Sequence, residues 1–134
     1  MTNTAPVVLV ADDDPAIRQM ARRILEVGGY RVIAAIDGAE AVKILAGGAA
    51  IDLLMADLEM PNLAGEEMAR QCRVTHPDLK ILYVSGVIDR LLDARPVLWE
   101  GEAFLDKPFT PSGLLEAVSL LLHGTLNPDA MRQR

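Results

Sequence analysis

The stretch Ile51-Asp52-Leu53-Leu54-Met55-Ala56-Asp57, followed at once by Leu58-Glu59-Met60-Pro61, decides the architecture. An apolar run of this kind reads as a buried strand. Asp57 then emerges at the strand's carboxyl edge, where ligands bind in an open α/β sheet. Working outward, three more strand ends carry matching groups. Asp12-Asp13-Asp14 follows Val7-Val8-Leu9-Val10-Ala11, Ser85 follows Ile81-Leu82-Tyr83-Val84, and Lys107 follows Ala103-Phe104-Leu105-Asp106. Clustered carboxylates with one hydroxyl and one lysine are suited to holding a divalent cation and taking a phosphoryl group onto an aspartate.

Between these strands the chain signals helices. Asp14 offers an N-cap and Pro15 a first helical residue; Ile17, Met20, Ala21, Ile24 and Leu25 then fall on one face, and Gly28-Gly29 ends the helix. Arg31 to Ile36 reads as a second strand. Asp37-Gly38-Ala39-Glu40 has capping-box spacing for a helix that stops at Gly47-Gly48. Residues Gly65 to Val74 make a third helix, broken by His76-Pro77, and Leu79 to Val84 a fourth strand. The segment from Ile88 to Arg95 is expected to give a short or irregular fourth helix, because Pro96 cuts it off. Thr110-Pro111 repeats the cap-then-proline device ahead of a last helix striped by Leu114, Leu115, Val118, Leu121 and Leu122.

Strict alternation in so short a chain favours an α/β fold: a five-stranded parallel sheet with helices on both faces. A flavodoxin-like strand order, 2-1-3-4-5, gathers the four chemically marked strand ends, and those residues make sense only as neighbours. The 134 residues suffice for one core. The division expected is an N-terminal arm over 1–6, a domain over 7–123, and a tail over 124–134 too small to be an output domain. No apolar run reaches the roughly 18 residues of a membrane span, and the first residues show no secretion signal. The lone Cys72 fits a reducing cytoplasm and reads as core filler. A net charge of −6 argues against a nucleic-acid surface and makes a cation the natural partner.

Asp12, Asp13 and Asp57 would be three carboxylates in close company. Two unit charges about 4 Å apart repel by about 4 kcal/mol at an effective dielectric near 20. A hard cation relieves this, and an all-oxygen ligand set points to Mg²⁺ or Mn²⁺ over zinc. Asp57 would be the nucleophile, while Lys107 and the Ser85 hydroxyl would each take a phosphoryl oxygen.

Four motifs at the right strand ends resemble the receiver domain of bacterial two-component response regulators over roughly residues 7–122. They are Val-Leu-Val-Ala-Asp-Asp-Asp-Pro at 8–15, Met-Ala-Asp-Leu-Glu-Met-Pro at 55–61, Val-Ser-Gly at 84–86 and Phe-Leu-Asp-Lys-Pro-Phe at 104–109. The resemblance implies Mg-dependent acceptance of a phosphoryl group on Asp57, in a single-domain phosphorelay switch that also hydrolyses it slowly. The donor implied is a histidine kinase or histidine phosphotransfer protein; the output protein is not specified, and neither nucleic acid nor membrane is a direct partner. Asp13 would ligate the metal directly, Asp12 through water, and the Glu59 backbone carbonyl would complete the set. Asp14 would only cap a helix. Ser85 and Phe104 would be the switch pair, and Lys107-Pro108 a cis peptide. Glu59 departs from the family pattern by placing negative charge two residues past the acceptor, and Ala64 stands where a polar residue is common. Residues 87–102 resemble receivers of hybrid histidine kinases more than those of DNA-binding regulators.

Two other classes compete. A small phosphatase would use Asp12 as nucleophile and Asp14 as acid, but it leaves Asp57 without a role. A flavin-binding protein needs a hydroxyl- and glycine-rich phosphate loop where Asp12 to Asp14 stand. On the first helix Arg18, Arg22 and Arg23 read as a solvated face ahead of a docking site. Trp99 is either a buried plug or a partner-facing anchor.

Overall fold

Every strand expected from the sequence forms, and each pairs in parallel with its neighbours. The computed structural model describes residues 5–60, 63, 65–86 and 101–124. Among these the order is β1 (Val7–Ala11), α1 (Pro15–Val27), β2 (Arg31–Ala35), α2 (Gly38–Ala46), β3 (Leu53–Asp57), α3 (Gly65–Thr75), β4 (Lys80–Ser85), β5 (Glu102–Asp106) and α4 (Pro111–His123). The sheet runs β2-β1-β3-β4-β5. Strand β3 is central, with Ala11 beside Ala56 on one side and Val84 beside Asp57 on the other.

The near-continuous apolar strands are explained by their two coated faces. Alternate residues serve separate cores, because side chains along a strand point to opposite faces. Leu9, Leu54, Ala56, Ile81 and Tyr83 pack with Ala41 and Leu45 of α2 and with Met68, Ala69 and Cys72 of α3. Val8, Val10, Leu53, Met55, Leu82 and Val84 pack with Ala21 and Leu25 of α1 and with Leu114 and Val118 of α4. Each fully buried leucine contributes about 1.5–3 kcal/mol. A one-residue slip of β3 would exchange its two cores and withdraw Asp57 from the sheet edge.

The caps act as their residue types require. Asp14 accepts the Ala16 amide at 2.9 Å, Asp37 the Glu40 amide at 2.9 Å, and Thr110 the Gly113 amide at 3.0 Å. The Glu40 carboxylate reaches back one residue beyond the Asp37 cap, accepting the Ile36 amide at 3.0 Å. That bond explains why β2 stops at Ala35 and not at Ile36. Strand β3 begins at Leu53, two residues into the apolar run. Just before it Asp52 clasps the start of β1 twice: its amide donates to the Val7 carbonyl at 2.9 Å and its side chain accepts the Val7 amide at 2.8 Å. The expected short helix over 88–95, Trp99 and Ala64 all lie outside the described residues.

Cys72 is core filler, as its sequence context implies: it is buried, and burial pushes its thiol up to about 11. Since the thiolate is the reactive form, alkylation at pH 8 is expected to be negligible in the native protein and complete in denaturant. Rapid native labelling, followed by mass spectrometry, would contradict this packing.

Candidate functional site

The carboxyl edge of the sheet brings together the residues predicted there. One carboxylate oxygen from each of Asp12, Asp13 and Asp57 lies within 4.8 Å of the others. Asp12 and Asp57 are nearly buried, at 2% and 3% exposure, whereas Asp13 is exposed. Lys107 reaches both buried carboxylates, its Nζ standing 3.2 Å from Asp12 Oδ2 and 3.3 Å from Asp57 Oδ2.

Backbone geometry fixes these groups before any ligand arrives. Asp12 follows β1, its amide bonded to the Ala35 carbonyl of β2. Asp12 Oδ1 accepts the Asp14 amide at 2.9 Å, and Asp57 Oδ1 accepts the Glu59 amide at 3.0 Å. Lys107 is held by its amide on the Ser85 carbonyl, and the Lys107-Pro108 peptide is cis, as the sequence resemblance implies.

The electrostatics follow from this crowding. Burial pushes the Asp57 carboxyl above the ordinary carboxylate range and the Asp12 charge adds to that, while the Glu59 amide and the Lys107 ammonium pull it down. Burial alone would lower Lys107, but the Asp12 and Asp57 carboxylates outweigh it and hold the ammonium above the usual lysine range. A hard divalent cation suits such a donor set: three carboxylate oxygens, one of them open to solvent.

Gly65 shows how tightly the end of β3 is packed. A Cβ at Gly65 would lie 2.7 Å from the Asp57 carbonyl oxygen and 3.0 Å from Leu58 Cα. Both neighbours are backbone, so neither can step aside cheaply. Gly65→Ala is expected to cost about 1–3 kcal/mol, seen as a lowered melting temperature together with weakened Mg²⁺ uptake. A variant that melts like the parent would show that this contact yields.

The family described as "Response regulator receiver domain" matches residues 8–119. The chain belongs to this family. The response regulator MprA of Mycobacterium tuberculosis is 40% identical to this receiver over 128 residues, covering 92% of the chain and 53% of that protein. The sensor kinase CckA of Brucella abortus is 36% identical over 124 residues, covering 91% of the chain and 13% of that protein. The solved receiver domain of the hybrid histidine kinase CckA has a TM-score of 0.75 and 31% identity, covering 87% of this chain and 99% of that one. A response regulator receiver protein from Sinorhizobium medicae has a TM-score of 0.80 and 34% identity, covering 88% and 94%. The chain thus spans about half of one curated relative and a small part of the other.

Sequence reasoning placed Asp12, Asp13, Asp57 and Lys107 together, as found. Ser85, fully buried, ends β4. Phe104 is half-buried and stacks on Tyr83, with ring centroids 5.6 Å apart. The Tyr83 hydroxyl in turn bonds Glu102 at 3.0 Å, and Arg73 pairs with the same Glu102 oxygen at 3.0 Å. Four more contacts were not foreseen. The Glu59 carboxylate accepts from Ser85 Oγ at 2.5 Å and from the Gly86 amide at 3.0 Å. Arg18 donates to the Asp12 carbonyl at 2.7 Å, and Arg22 to the Val32 carbonyl at 3.1 Å, so neither is simply solvated. No helix among the described residues is long and apolar enough to cross a membrane.

Proposed function

We propose that this receiver accepts a phosphoryl group on Asp57 from the phosphohistidine of a histidine kinase or histidine phosphotransfer protein. An Asp57 carboxylate oxygen bonds to phosphorus as the phosphorus–nitrogen bond breaks. The leaving imidazole nitrogen keeps the bonding pair and takes up a proton. The observation that carries this reading is the gathering of Asp12, Asp13 and Asp57 within 4.8 Å, with Lys107 at 3.3 Å from Asp57. Positioning and charge stabilisation dominate phosphoryl transfer, and this arrangement offers both.

The side chains of Asp12, Asp13 and Asp57, with the Glu59 carbonyl as the family resemblance implies, would hold Mg²⁺ or Mn²⁺. When bound, that cation supplies charge neutralisation at the phosphoryl oxygens. Lys107 offsets a second oxygen and the Ser85 hydroxyl donates to a third. Ser85 and Phe104 form the switch that carries the modification to an output protein. That output is a protein surface, since the net charge of −6 disfavours nucleic acid. We place the working unit at residues 7–123 and its setting in the cytoplasm, which the single unpaired Cys72 supports.

The phosphatase reading is disfavoured by one contact: Asp14 turns back to cap α1, away from any role as a general acid. Incubation with Mg²⁺ and acetyl phosphate, followed by peptide mass spectrometry, separates the two. Label on Asp57 supports the receiver reading; label on Asp12, or none, overturns it.

A further inference from the structure

We propose that the Glu59 carboxylate is a latch on the resting site, holding the Ser85 hydroxyl and the Gly86 amide so that Ser85 serves a phosphoryl group only after leaving Glu59. This deepens the proposed function and rests on it. The Ser85 hydroxyl has one proton to donate, and in this structure Glu59 Oε1 receives it at 2.5 Å. The same oxygen accepts the Gly86 amide at 3.0 Å. Donation to Glu59 and donation to a phosphoryl oxygen on Asp57 are therefore mutually exclusive for Ser85. Both acceptors are anionic, so the latch competes with the phosphoryl group through a bond of the same kind.

The backbone around the latch is fixed on both sides. The Ser85 carbonyl accepts the Lys107 amide at 3.0 Å, and the Val84 carbonyl accepts the Leu58 amide at 3.0 Å. Strand β4 therefore keeps its register, and the change falls to the Ser85 side chain and to the Gly86 amide that follows it. Glu59 lies two residues beyond Asp57, whose Oδ1 holds the Glu59 amide at 3.0 Å. One residue thus touches the acceptor through its backbone and the switch hydroxyl through its side chain. Glu59 is a positioning residue: it acts on the acceptor site through Ser85.

Beryllofluoride, a phosphoryl mimic, measures the latch when titrated calorimetrically into the Mg²⁺-loaded protein. Uptake by the parent supports the phosphoacceptor reading; failure there overturns that reading, and the latch with it. Given uptake, Glu59→Ala is expected to tighten binding about tenfold. Glu59→Gln keeps an oxygen acceptor without the charge and should gain less. In a Ser85→Ala background Glu59→Ala should gain less than about twofold, the non-additivity expected of groups that touch. Unchanged or weaker binding in Glu59→Ala overturns the latch. So does an equal gain with and without Ser85, which would assign the effect to charge repulsion alone.

Discussion

Asp57→Asn is expected to abolish acyl-phosphate labelling while raising the melting temperature of the metal-free protein. The first effect follows from losing the nucleophile, because an amide oxygen does not displace a phosphoryl leaving group. The second follows from the crowding at the sheet edge. Asp57 is 3% exposed, and burial, with Asp12 beside it, holds its carboxyl above the ordinary range. A carboxyl raised on folding favours the folded state most when protonated, below its unfolded value, and that advantage fades as pH rises through the folded value. At neutral pH its ionised form therefore works against the fold. Asparagine removes the charge but keeps an oxygen for the Glu59 amide. Thermal unfolding in EDTA at pH 7.5 should rise by roughly 3–5 °C, the shift about 1 kcal/mol produces in a domain of this size. Added Mg²⁺ should stabilise the variant less than the parent. A lower melting temperature in EDTA would mean that the Lys107 pairing outweighs the cost of burial.

Lys107→Met should move the same measurement the other way. Its ammonium is held above the usual lysine range, so its contribution is complete at neutral pH and is lost only as pH rises through that elevated value. Methionine keeps the apolar stem and leaves the Asp12 and Asp57 carboxylates without their contacts at 3.2 and 3.3 Å. The metal-free variant should melt lower than the parent, and Mg²⁺ should restore a larger share of its stability. Binding of beryllofluoride should weaken about ten- to a hundredfold, the loss expected for a charge-assisted contact to an anion. Metal uptake is retained, so a loss of uptake would recast Lys107 as a support for the ligands. Beryllofluoride binding at the parental level would remove it from the phosphoryl site.

The parts of this protein that could be read from sequence are those governed by neighbours along the chain. The caps of α1, α2 and α4 each carry their signature within four residues, and β3 announces itself by its run of apolar residues up to Asp57. The site was legible because its groups sit at the ends of adjacent parallel strands, so topology alone brings Asp12, Asp57, Ser85 and Lys107 to one edge. What escaped depends on side chains crossing between elements. Glu59 meets Ser85 across 26 residues, and no local pattern shows which way its carboxylate turns. The Tyr83–Glu102–Arg73 chain beneath Phe104 joins β4, β5 and α3, and each member alone looks like a routine strand or helix residue. Arg18 and Arg22 were read as solvated because a guanidinium near a helix surface usually is, yet Arg18 ends on the Asp12 carbonyl just past β1 and Arg22 on the Val32 carbonyl of β2.

The three clustered aspartates and Lys107, which pairs with two of them, leave an excess of two negative charges within that group of four side chains. A divalent ion cancels that excess in full. Sodium or potassium would fall one charge short, and a lanthanide would overshoot by one. Electroneutrality therefore sorts ions here by valence ahead of size, and occupancy should stand up to ordinary monovalent salt, because the Asp12 and Asp57 charges are buried and are screened far less than exposed ones.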